Sequence, residues 1–69
     1  MDHYNSIQNL KDGDCFIWPQ SDYGKAEIWF KNEVFFLFEI PEYGGMPIFS
    51  GSFHPSQVDR LIDKVNSWT

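Results

Sequence analysis

The sequence predicts an α+β fold, a small antiparallel β-meander of three to four strands with one C-terminal α-helix packed on one face. Three observations carry that expectation. Residues 14–53 hold short apolar runs, rich in rings and branched side chains, separated by turn formers. After His54 the apolar period lengthens from that of a strand to that of a helix. The chain has 69 residues, with 3 Trp, 3 Tyr and 7 Phe, which suits a single domain over 1–69 and excludes a doubly wound cofactor domain or a barrel enzyme.

Residues 1–8 read as polar apart from Ile7 and are expected to be frayed or to add a short edge segment. Lys11-Asp12-Gly13-Asp14 supplies a turn, and Cys15-Phe16-Ile17-Trp18 after it reads as the first strand, ended by Pro19. A loop of turn formers containing Tyr23 leads to residues 25–31, which alternate apolar and polar for most of their length. Residues 34–40, Val-Phe-Phe-Leu-Phe-Glu-Ile, form the next strand.

These two runs predict a hairpin turning on Asn32 and Glu33, although Glu33 stands where Gly is preferred. That turn pairs Lys31 with Val34, Phe30 with Phe35, Trp29 with Phe36 and Ile28 with Leu37. Side-chain alternation then places Ala26, Ile28, Phe30, Phe35 and Leu37 on one face, and Trp29, Val34, Phe36, Phe38 and Ile40 on the other. Both faces are apolar, and one helix can cover only one of them.

Two prolines and a glycine pair break the chain between Pro41 and Pro47. Residues 48–53 read as the last strand, with Gly51 marking a bulge or a close approach. Over residues 55–68, Val58, Leu61, Ile62, Val65 and Trp68 fall on one stripe of a helix. Pro55 suits its first turn, and Ser56 with Asp59 resembles a capping box in which Asp replaces Glu.

Charge and motifs exclude more functions than they suggest. The net charge is −5, and the five Lys and Arg residues are dispersed, so direct nucleic-acid binding is not expected. One cysteine cannot close an internal disulfide, which points to a reducing compartment, and Cys15 reads as a small buried hydrophobe. The opening residues show neither a leader nor a membrane helix, so a cytoplasmic location without membrane association is expected. No glycine-rich phosphate loop is present, His3 and His54 lack ligands at zinc spacing, and Asp12-Gly13-Asp14 lacks the further oxygen donors of a calcium loop. Ser50, Ser52, Ser56 and His54 are explained by a strand end and a helix cap. No catalytic residue, metal or cofactor is therefore expected.

The aromatic excess remains. A domain of this size buries only roughly 60% of the surface its unfolded chain exposes, so some rings are expected outside. Trp18, Tyr23, Trp29, Phe36, Phe38, Glu42, Tyr43 and Met46 are the candidate protein interface, since interfaces are enriched in Trp, Tyr, Phe and Met. The expected function is that of a small acidic, non-enzymatic binding domain acting through an aromatic sheet face and the 42–47 loop. It would inhibit or modulate a basic or nucleic-acid-binding protein, in the manner of a phage- or mobile-element-encoded factor. The alternatives are a bacterial structural or assembly homodimer that buries the second face against itself, and a small-ligand or peptide module built from Trp18, Tyr23 and Tyr43.

Overall fold

Asn32 and Glu33 both take positive φ, 53° and 64°, the combination a two-residue hairpin turn of the primed type requires. Glu33 thus accepts a left-handed conformation in the place where Gly is usual, and the register follows from it. Strand β2 (Ala26–Lys31) pairs with β3 (Val34–Glu39) as the sequence predicts, Lys31 opposite Val34 and Ile28 opposite Leu37. The computed structural model describes residues 3–19, 25–41 and 45–68.

Strand β1 (Cys15–Trp18) lies antiparallel to β2, and β4 (Ile48–Phe53) antiparallel to β3, giving one four-stranded sheet in the order β1-β2-β3-β4. The acidic turn before β1 ties it to the hairpin tip. Gly13, at φ +89°, donates its N–H to the Phe30 carbonyl at 2.7 Å, and Phe30 donates back to the Asp14 carbonyl at 3.1 Å. The Asp12 carboxylate accepts from the Asn32 N–H at 2.7 Å, and that of Asp14 from the Lys11 N–H at 3.0 Å. Both carboxylates therefore serve backbone donors of the turns.

The fold is α+β. A single 3₁₀ turn, Pro55–Gln57, leads into α2 (Val58–Asn66), whose Val58, Leu61 and Val65 are buried with Ile62 and Trp68 packed beside them. Burying each such aliphatic side chain contributes about 1.5–3 kcal/mol. The start differs from the expected Ser56–Asp59 box: the Gln57 side chain accepts from the His54 N–H at 3.2 Å, two residues earlier. Pro55 sits at the first turn, where its missing N–H costs nothing.

The opening segment folds as well. His3–Gln8 forms α1, a six-residue helix rather than a frayed or edge segment. Its fixing contact is Ile7, fully buried among Trp18, Ala26, Ile28, Phe35, Leu37 and the α2 residues. An isolated helix this short is not stable in water, so α1 exists through its contacts with α2 and β1.

Candidate functional site: the open face of the sheet

Alternation divides the sheet into a covered and an open face. The covered one carries Ala26, Ile28, Phe35 and Leu37, all essentially inaccessible, under α1 and α2. On the open one, register aligns two rows across the strands. Ile17, Glu27, Phe38 and Phe49 make the first row; Cys15, Trp29, Phe36 and Ser52 make the second. Ile17 is 48% exposed, Trp29 40% and Phe49 58%, while Phe36 and Phe38 are half-buried.

Phe49 reaches this face because of a bulge. Leu37 pairs with Gly51, yet Phe38 pairs with Phe49, so Ser50 is the extra residue in β4. Without it, Phe49 would pair with Glu39 and point to the other side. The bulge places the Phe49 ring edge-on to Phe38, 5.6 Å between centroids. The Lys64 ammonium of α2 donates to the carbonyl of this extra residue, Ser50, at 2.6 Å. Gly51, at φ +143°, takes a conformation open to glycine.

The face carries one carboxylate in its interior. Glu27 is half-buried between Ile17 and Phe38, and its Oε1 accepts a hydrogen bond from the Trp29 indole N–H. Cys15, diagonal to it, is exposed rather than buried, which corrects the sequence expectation. Partial burial, and after it the Glu27 carboxylate, raise the Cys15 thiol above its ordinary value. The thiol is therefore poorly ionised near neutral pH and is a weak nucleophile there.

The predicted interface residues separate into three groups. Trp29, Phe36 and Phe38 come together on the open face, and Met46, 85% exposed, precedes β4 at its edge. Trp18 does not belong with them. It pairs with Ala26 on the covered face, is 7% exposed, and lies against the His3 ring, 4.5 Å between centroids and tilted by 45°. The expected cage of Trp18 with the loop tyrosines therefore has no exposed Trp18 to build on. Tyr23, Glu42 and Tyr43 lie outside the described residues.

The chain matches no family model, no curated protein and no solved structure. Among the described residues no group of three or more His, Cys, Asp and Glu is placed to hold a metal ion, and no helix is long and apolar enough to cross a membrane.

Sequence reasoning missed Ile17, Glu27 and Phe49 as members of the face. The signal for Glu27 alone was available: the hairpin register that pairs Trp29 with Phe36 places Glu27 opposite Phe38. It also missed a cleft between α1 and α2, where His3, Tyr4 and Trp18 face Asp59 and Asp63. Among the described residues His3 Nδ1, buried there, has no hydrogen-bond partner. No pattern in the sequence pairs the first turn of α1 with α2.

Proposed function

We propose that the protein is a non-enzymatic protein-binding domain that acts through the open face of its sheet, as an inhibitor or modulator of a basic or nucleic-acid-binding protein in the cytoplasm. One observation carries this reading: Ile17, Trp29, Phe36, Phe38 and Phe49 share the face of the sheet that neither helix covers, and Ile17, Trp29 and Phe49 are exposed on it. Contiguous exposed apolar surface on a small domain marks an interaction site, and aromatic rings there supply most of the binding energy. The net charge of −5 favours a basic partner and disfavours phosphate.

Self-association is the competing use of the same surface, and Glu27 weighs against it. Two copies meeting over this face would bring two Glu27 carboxylates into one apolar contact, a costly arrangement wherever Lys31 of the same face does not reach them.

The test joins solution mass to partner capture. The wild-type chain should sediment as a monomer and recover a partner from its native cells, identified by mass spectrometry. Trp29→Ala and Phe49→Ser should each lose that partner while keeping the fold by circular dichroism. A stable dimer that buries Trp29, or capture unaffected by both substitutions, would contradict the proposal.

A further inference from the structure

The open face is apolar around a single acid, and that arrangement selects what can dock on it. Glu27 sits in the first row with Ile17 on one side and Phe38 on the other. None of the residues around it from β1, β3 or β4 is charged: Cys15 and Ile17, Phe36 and Phe38, Phe49 and Ser52. Among the described residues its one hydrogen-bond partner is the Trp29 indole. Two lysines flank Glu27 along the chain, Lys25 two residues before it and Lys31 four residues after it, about 13 Å away at the rise of a strand, and among the described residues neither forms an ion pair with it.

A half-buried carboxylate has lost part of its hydration, and one indole N–H satisfies only part of its accepting capacity. The remaining lone pairs and the adjoining ring faces of Trp29 and Phe38 call for a group that is cationic, planar and able to donate several hydrogen bonds. A guanidinium has all three properties: it pairs with a carboxylate through two parallel donors and stacks on aromatic rings. An ammonium offers the charge without the plane.

We infer that Glu27 and Trp29 form the receptor for one arginine side chain of the partner protein, with Ile17, Phe36, Phe38 and Phe49 receiving the apolar residues that flank it. This rests on the open face being the binding surface and names the group recognised there. Glu27 accepts the guanidinium, Trp29 orients Glu27 through its indole N–H and offers its ring, and the surrounding rings exclude water from the pair. Desolvation by those rings is what lifts such a pair above the small value of an exposed one.

The experiment uses the full chain and two blocked nine-residue peptides that differ in one atom group. One has a central arginine flanked by leucines, and the other has citrulline, which keeps the shape and loses the charge. Each is titrated while the indole N–H resonance of Trp29, assigned with Trp29→Phe, is followed by nuclear magnetic resonance. The arginine peptide should shift that resonance saturably and bind about tenfold or more tightly than the citrulline peptide. Glu27→Gln, with its dispersed spectrum confirming the fold, should reduce the two peptides to equal affinity. Equal binding by wild type, or an arginine preference that persists in Glu27→Gln, overturns the arginine receptor and leaves the binding face standing. No saturable shift with either peptide overturns the receptor. If the wild-type chain is also a dimer protecting Trp29, the binding-face reading falls with it.

Discussion

The two faces of the β2–β3 hairpin are built from alternate residues of the same two strands, and their composition barely differs. One presents Ala26, Ile28, Phe35 and Leu37; the other presents Trp29, Phe36 and Phe38 around Glu27. Their fates differ because two helices cover the first and none the second. A continuous apolar run such as Val34 to Phe38 ordinarily signals a strand buried on both sides. Here it signals one face spent on folding and one left for contact.

The largest effect that could break this comparison is a matched pair of truncations in β3. Leu37→Ala, on the covered face, should cost about 2–5 kcal/mol, enough to unfold much of a domain this small. Phe36→Ala, its neighbour on the open face, should cost markedly less in urea denaturation. Equal costs would mean that both faces are buried.

Gly51→Ala should come next, at about 1–3 kcal/mol, because alanine is strained at φ +143°. An added Cβ would also lie 3.7 Å from both Lys64 Nζ and the Phe53 ring, ordinary contact, so the cost is one of backbone conformation. The variant should relax the bulge and weaken nuclear Overhauser contacts between the rings of Phe38 and Phe49. Unchanged contacts and an unchanged melting curve would remove the bulge from the account of the open face.

Asp12→Ala should cost about 1 kcal/mol or less, since its bond to the Asn32 N–H is exposed. Faster amide exchange at Asn32 is the check, and protection equal to wild type would show that the turn stands without that bond.

The smallest effect is chemical. Glu27 helps hold the Cys15 thiol above its ordinary pKa, so Glu27→Gln should lower that pKa and enlarge the thiolate fraction. Alkylation of Cys15 by iodoacetamide at about pH 8 should therefore be slower in wild type than in the variant. The difference should vanish well above the thiol pKa, where both are fully ionised. An identical pH profile would separate Cys15 from Glu27.

Much of this organisation was legible in the residues. Asn32 and Glu33 between two apolar runs gave the hairpin register, and the stripe through Val58, Leu61 and Val65 gave the helix and its packing on one face of the sheet. Gly51 marked the bulge. The failures have a common physical cause, since each depended on contacts distant in sequence. Trp18 turns inward because the parity of β1 is set by the Gly13 and Asp14 bonds to Phe30, and not by any pattern inside β1. Cys15 faces outward for the same reason. Helix α1 was unreadable because one apolar residue, Ile7, anchors it, and its partners lie in β1 and α2. Phe49 joined the open face through one extra residue, which inverts a strand's facing without changing its composition.

The central claim is that the two faces differ in solution as they do in the fold, and the indoles of Trp18 and Trp29 report on them separately. A soluble paramagnetic gadolinium chelate, added to the chain at dilute and at concentrated protein, broadens resonances in proportion to their access to solvent. The account predicts strong broadening of the Trp29 indole N–H at both concentrations and little at Trp18. A Trp29 indole as protected as that of Trp18 would contradict it.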